Sequence, residues 1–219
     1  MEVIKDIICR RLDHQLSELR KMEMTTTESQ IALAEGDMDR FTSLATDAAL
    51  RSEALTCKMR HLLYQFTDEK RPEHMINAAE MQGMVVREYK DMFEVELPCL
   101  LPKRNTKRGS EFITDPMHFM LERYNEAHPI KRYESAVVCF VHEYDRSMPC
   151  KRIIDYDNME QKAVVDVIAT FFLRDDSGRF CDTYNTIFSG DAEKTGIYIM
   201  SQNRFLGWYS CLKYGKHPV

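Results

Sequence analysis

Two pairs of carboxylates flank one helical segment in the second half of the chain. Asp155 and Asp157 end a short apolar segment, and Asp175 and Asp176 follow the helical segment. In a strand, residues i and i+2 point to one side, so the first pair is predicted to face a common point. Carboxylate oxygens around one point suit Mg²⁺ or Mn²⁺, ions that activate water and stabilise charge on a transferring phosphate.

The same residues also have ordinary structural interpretations. Asp157 can cap the following helix, with Glu160 completing a capping box. Asp175 and Asp176 can be turn residues, and Asp155 can be a solvated strand end. The helix is about 18 Å long, so the two pairs meet only if the chain folds back as a strand–helix–strand unit. Its predicted apolar face consists of Met159, Ala163, Val164, Val167, Ile168 and Phe171.

The motifs of this segment also follow a recognisable order. In sequence they are Lys151 and Arg152, then Asp155-Tyr156-Asp157-Asn158, then Lys162 and Asp166 on the helix, then Asp175-Asp176. This order resembles the signature of the RusA-type Holliday-junction resolvases, which are small dimeric Mg²⁺-dependent nucleases common in prophages. One spacing differs: Lys162 follows Asp155 by seven residues, where the family has six, and one extra residue turns a helix by about 100°.

The resemblance extends over roughly residues 92–200. Residues 93–98 look like the opening strand of the family, and the basic loop 102–109 and a helix follow it. Residues 136–141 look like a central strand, and residues 183–188 and 195–200 look like the closing strands.

The resemblance implies a metal-dependent endonuclease that resolves branched DNA, acting in DNA recombination as a homodimer because symmetric cleavage needs two sites. It assigns binding of Mg²⁺ (or Mn²⁺) and catalysis to Asp155, Asp157 and Asp176. Asp175 is the alternative to Asp176 as a metal ligand. Lys162 would stabilise negative charge on the phosphate. Backbone phosphates of DNA would contact Lys103, Arg104, Lys107, Arg108, Lys151 and Arg152.

The composition is typical of a folded globular protein. Hydrophobic residues make up 44% of the 219 residues and charged residues 30%. There is no run of eighteen apolar residues to span a membrane, and the charged N-terminus is unlike a secretory signal. The seven cysteines include no Cys-x-x-Cys pair, which argues against a zinc site or a disulfide framework. These features predict a cytoplasmic protein with no membrane partner.

The net charge of −5 counts against a nucleic-acid partner, because binding a phosphate backbone needs local positive charge. The cluster at residues 103–108 can supply such charge locally. A second interpretation therefore stays open: a catalytically inactive RusA-like scaffold of mobile-element origin. Such a scaffold would act as a protein- or DNA-binding regulator or inhibitor through its helical region.

The N-terminal region is predicted to form a helical hairpin. Residues 1–34 have an apolar stripe that includes Leu12, Leu16 and Leu19, and Thr25-Thr26-Thr27-Glu28 can interrupt this helix. Glu35-Gly36-Asp37 is a clear break before a second helix at 38–66. The spacing is also compatible with a coiled coil. A hairpin buries little apolar surface alone, so its stripe requires a third helix, a second copy or the downstream domain.

The fold class is therefore α+β, with the helical hairpin and its linker over residues 1–90 and a RusA-like mixed β-sheet domain with packed helices over 91–219. We expect one helix at 73–90 and another from Asp115-Pro116 to Asn125. Strands are expected at 92–98, 133–144, 180–188 and 195–200. The aromatic tail from residue 201 can cover the core, stack on bases or contact another subunit.

Overall fold

The computed structural model of the chain describes residues 2–102, 110–147 and 156–214, except the side chain of Asp157. The described residues form the predicted α+β fold, with long N-terminal helices followed by a mixed five-stranded sheet and packed helices. The chain divides into two compact units, residues 1–71 and 72–219. This division places residues 72–90 with the sheet, whereas their predicted place was with the hairpin.

The first unit is the predicted helical hairpin. Helix α1 (Glu2–Ala34) and helix α2 (Met38–Phe66) are joined by a tight turn. Gly36 adopts a φ of 75°, a left-handed conformation that favours glycine. Asp37 caps α2, since its Oδ1 accepts a hydrogen bond from the backbone N–H of Arg40 at 3.0 Å. The predicted break at residues 35–37 is therefore confirmed.

Helix α1 runs unbroken through the three threonines that were considered as a point of interruption. The hydroxyls of Thr25, Thr26 and Thr27 donate hydrogen bonds to the carbonyl oxygens four residues earlier, at 2.8–2.9 Å. Because these bonds satisfy the hydroxyls inside the helix, the threonines do not compete with its backbone ladder.

Helix α1 packs on α2 through a face of polar and small residues. Gln15, Ser29 and Ala32 are buried, and Glu18 on the same face forms an ion pair with Arg51 of α2 at 3.4 Å. Gln15 and Glu18 are three residues apart, as are Ser29 and Ala32, and fourteen residues (two heptads) separate the two pairs, so all four lie on one helix face. The leucines of the predicted apolar stripe, which was expected to need a further partner, lie on another side of α1. Its leucines Leu12, Leu16 and Leu19 are 41–51% exposed.

The second unit is built on a sheet of five strands, ordered β1-β2-β5-β3-β4. The elements in chain order are helix α3 (Arg71–Gln82), β1 (Val85–Tyr89), β2 (Met92–Leu97), helix α4 (Glu111–Ala127), β3 (Ala136–Asp145), helix α5 (Lys162–Phe172), β4 (Cys181–Gly190), β5 (Lys194–Ser201) and helix α6 (Gln202–Lys213). The pair β3–β4 is parallel and is joined through α5, while the other pairs are antiparallel. The predicted strand–helix–strand unit is thus present.

Two helix predictions in this unit are wrong. The helix expected at 73–90 ends at Gln82, where Gly83 has a φ of 79°, and Val85–Tyr89 pairs with β2 as an edge strand. The helix expected to start at Asp115-Pro116 begins four residues earlier, at Glu111. Pro116 is therefore inside α4, where it removes one backbone donor but is buried in the core side of the helix.

The sheet has a core on each face. The larger core lies under α4 and α5 and includes Val138, Phe140, Ile168 and Phe172. The smaller core lies under α6, where Trp208 is fully buried against Cys139, Val137 and other residues of the sheet. The sequence tail was not predicted to be helical, but the interpretation that its aromatic residues cover the core is confirmed for Trp208. Within the described ranges, no helix combines the length and apolarity needed to cross a membrane.

Replacing Trp208 with alanine should lower the free energy of unfolding by about 3–5 kcal/mol, because the cavity removes the main contact between α6 and the sheet. Urea unfolding followed by circular dichroism measures the change. The matched control is Leu206→Ala on the same helix, where the side chain is 72% exposed and the expected effect is within about 0.5 kcal/mol. Equal losses in the two variants would contradict this packing.

Candidate functional site

Two loops with predicted site residues leave the sheet at the same edge, by which we mean the side of the sheet where the carboxyl ends of β2 and β3 lie. Leu97 of β2 and His142 of β3 both lie opposite Thr195 of β5 in the antiparallel register. Because β2 and β3 run in the same direction on either side of β5, their carboxyl ends lie together. The loop with the basic cluster follows β2, and the segment with the Asp-x-Asp-Asn motif follows β3. Ligand sites often occupy the carboxyl ends of strands.

A backbone hydrogen bond joins the described ends of these two loops. The N–H of Glu160 donates to the carbonyl oxygen of Pro102 at 2.9 Å. Pro102 precedes the basic cluster directly, and Glu160 follows the 3-10 helix at Tyr156–Asn158. The fold therefore brings the starting point of the basic loop beside the end of the acidic motif.

Most of the predicted site residues lie outside the described residues. This applies to Asp155, to the side chain of Asp157, and to the predicted DNA contacts Lys103, Arg104, Lys107, Arg108, Lys151 and Arg152. The described members of the predicted site are Lys162, Asp175 and Asp176, and the structure places each of them around α5.

Lys162 lies in the first turn of α5 and pairs with Asp166 one turn later. Its Nζ donates to both carboxylate oxygens of Asp166, at 3.0 and 2.8 Å. This contact raises the pKa of Lys162, and the charges of Asp176 and Glu160 raise it further. The ammonium is exposed to solvent, so it is available to an anion that approaches from outside. Asp176 is thus within electrostatic reach of the amino-terminal end of α5.

The start of α5 differs from the prediction that Asp157 caps it. The helix begins at Lys162, with Gln161 at the N-cap position, and a 3-10 turn precedes it. Glu160 contributes to the helix start, because its Oε1 accepts from the N–H of Ala163 at 3.3 Å. Residues 156–161, which separate Asp155 from Lys162, therefore all precede α5.

Asp175 and Asp176 occupy the predicted turn but have different surroundings. The Oδ1 of Asp175 accepts from the backbone N–H of Ser177 at 2.7 Å, and hydrogen bonds from Ser177 lower the pKa of Asp175. Asp175 is therefore used by the turn itself. Asp176 is exposed, and its carboxylate forms no hydrogen bond or ion pair with any other residue that the structure describes. Of the two, Asp176 has the free carboxylate.

A buried histidine that is not among the residues predicted from the sequence lies beneath the same edge. His142 on β3 is fully buried, its Nδ1 lies 3.3 Å from Oγ1 of Thr195, and its ring stacks between those of Phe140 and Tyr156. Burial lowers the pKa of His142 to about 4, partly opposed by the nearby Asn185 side chain. The signal in the sequence is a single histidine that directly follows the apolar run 136–141, inside the predicted strand 133–144.

The polar residues around His142 connect it to α5. Gln161, at the helix start, donates from its Nε2 to Oδ1 of Asn185 on β4 at 2.6 Å. Nε2 of His142 has no well-formed hydrogen bond within the described part of the chain. The edge therefore has a neutral, buried imidazole behind it, which supports Tyr156 by ring stacking next to the acidic motif.

A family model matches residues 4–217 and is described as a family of unknown function, DUF6100. The chain belongs to the DUF6100 family. No curated protein matches it. Among solved structures, the periplasmic domain of Helicobacter pylori MotB is similar to this DUF6100 chain with a TM-score of 0.33 and 13% sequence identity, covering 63% of this chain and 92% of that chain.

The described residues alone do not form a metal site. Across residues 2–102, 110–147 and 156–214, no three histidine, cysteine, aspartate or glutamate side chains lie close enough together to hold an ion. The predicted ligand set combines Asp176 with Asp155 and Asp157, which fall outside this search. Helix α5 is about 16 Å long, so that combination depends on how far residues 173–176 return along it.

The free energy of unfolding should fall as the pH decreases from about 6.5 to about 4, because the unfolded chain takes up a proton on His142 that the folded chain excludes. Between these two pH values, His142 accounts for up to about 3 kcal/mol of the decrease in the free energy of unfolding. Urea unfolding at a series of pH values, compared between the parent and His142→Phe, measures it. The control His128→Phe leaves His142 intact and should keep the full slope. An unchanged slope in His142→Phe would contradict the burial argument.

Proposed function

We propose that this DUF6100 protein is a metal-dependent endonuclease that cleaves branched DNA. In this proposal it acts in the cytoplasm as a homodimer, in recombination of DNA from mobile elements such as prophages. The motif order from Lys151 to Asp176, similar to that of RusA-type resolvases, is the starting point. The order of strands and helices from β2 to β5 agrees with the order expected from that resemblance.

The hydrogen bond between the Glu160 N–H and the Pro102 carbonyl is the main support for this proposal. It joins two segments that are far apart in sequence, one with basic side chains and one with acidic side chains. A nuclease needs both at one place, since cations hold the phosphate backbone while carboxylates hold the metal ion. The acidic balance of the whole chain is compatible with such a local basic surface.

The chemical environment of Lys162 also supports the proposal. The side chain carries a positive charge at neutral pH, is solvent-exposed beside Asp166 and lies within electrostatic reach of Asp176. A protonated amine at this position can stabilise negative charge that develops on a phosphate. Asp166 holds the ammonium in place, so we assign to Asp166 a positioning role.

The proposed metal ligands are Asp155, Asp157 and Asp176. The exposed carboxylate of Asp176 fits this role, because no described side chain occupies its oxygens. Asp175 fits less well, because one of its oxygens already accepts from Ser177. A bound Mg²⁺ or Mn²⁺ would supply water activation and charge stabilisation.

A second function is favoured by one observation in the helical unit. The exposed leucines of α1 offer an apolar surface for another protein chain. This surface fits a catalytically inactive scaffold that regulates or inhibits a partner through its helical region.

Cleavage of a labelled four-way junction with Mg²⁺ or Mn²⁺ tests the proposed nuclease. We expect paired symmetric nicks that fall roughly 10- to 100-fold or more in Asp155→Asn, Asp157→Asn and Asp176→Asn, because each change removes a proposed ligand. The matched control is Asp91→Asn, at an exposed position in the β1–β2 turn, which should cleave normally. Lys162→Ala should also lose cleavage, whereas Lys90→Ala should retain it.

Gel-shift binding of the same junction separates the alternatives. Junction binding without nicking under either metal would contradict the nuclease and support a DNA-binding scaffold. Absence of both binding and nicking would exclude the nucleic-acid function and support a protein partner for the helical unit.

A further inference from the structure

The exposed side of α1 has a second heptad-spaced face, distinct from the one that packs on α2. We call it the α1 seam and define it by residues spaced alternately by four and three: Lys5, Cys9, Leu12, Leu16, Leu19 and Glu23. All six are exposed, including the three leucines at 42%, 51% and 41%. Alternating spacings of three and four define the contact line of a coiled coil.

The α1 seam is separate from the residues through which α1 packs on α2. The face toward α2 uses Gln15, Glu18, Ser29 and Ala32, a set that shares no member with the α1 seam. The more apolar of the two faces is therefore the one in contact with solvent. Because exposed leucines in a continuous line are costly in water, such a line is typical of a helix–helix interface.

The charges at the two ends of the α1 seam indicate which chain covers it. Lys5 lies at one end and Glu23 at the other, with apolar residues between them. If two copies pair antiparallel about a two-fold axis between Leu12 and Leu16, Lys5 of each copy faces Glu23 of the second copy. A parallel pair would instead place lysine against lysine and glutamate against glutamate, which is unfavourable.

We propose that two copies of this chain associate antiparallel through the α1 seam. Leu12 packs on Leu16 of the second copy, and Cys9 packs on Leu19 of the second copy, so the contact is self-complementary. The partner is thus a second copy of the same chain. Asp13 borders the seam on the side away from α2, so its carboxylates approach each other near the two-fold axis and weaken the pair. This inference does not depend on the proposed nuclease activity.

Disulfide cross-linking of the full chain tests the register. In a Cys57→Ser background, oxidation of Leu19→Cys should give a covalent dimer through native Cys9, because these positions face each other in the antiparallel pair. Adding Cys9→Ser should abolish that dimer. The control Ser17→Cys, at an exposed position off the seam, should not cross-link. A covalent dimer through Cys9 alone, without the change at Leu19, would indicate a parallel pair and overturn the proposal.

Charge exchange provides an independent test by sedimentation equilibrium. Lys5→Glu and Glu23→Lys should each raise the dimer dissociation constant about tenfold, and the double variant should restore it. Asp13→Asn should strengthen the dimer at low ionic strength. A monomer at all concentrations, or a dimer insensitive to all three changes, would overturn the proposal. Junction cleavage by a protein that stays monomeric would support the nuclease while rejecting this interface.

Discussion

Strand β3 is the element on which the second unit depends. It is hydrogen-bonded to β4 on one side and to β5 on the other along most of its length, and nearly all of its residues are buried. Its side chains alternate between the two cores, so Val138 and Phe140 contact the α5 side while Val137 and Cys139 contact the α6 side. Because its neighbour β4 is parallel, the chain must cross over through α5 before it can re-enter the sheet.

This crossover also determines where the candidate chemistry lies. The chain leaves β3 at the edge where β2 ends, passes through the acidic motif, and enters α5 with Lys162 in its first turn. Pro102, which directly precedes the basic cluster in sequence, lies at the same edge and accepts a hydrogen bond from the N–H of Glu160. Behind them, His142 is kept neutral by burial and supports Tyr156 through ring stacking.

In the helical unit, helix α1 has two separate faces whose residues follow similar heptad spacing. The face of α1 that packs on α2 contains Gln15 and Ser29, while leucines lie on the exposed α1 seam. The proposed dimer would use the α1 seam, while a different face of α1 packs on α2.

The sequence by itself determined the elements whose periodicity is local and strong: α1, α2, α5, the strands β2 to β5, and the glycine break at Gly36. It also determined the order of acidic and basic motifs that defines the candidate site. Only the tertiary structure decided that Val85–Tyr89 is a strand, that α4 begins at Glu111 and that the tail forms α6. Pairing with β2 overrides the weak local preference of Val85–Tyr89, and burial of Trp208 overrides that of the tail. Likewise, periodicity showed that α1 is amphipathic, but only packing decided which side faces α2, since both of its faces satisfy the heptad spacing.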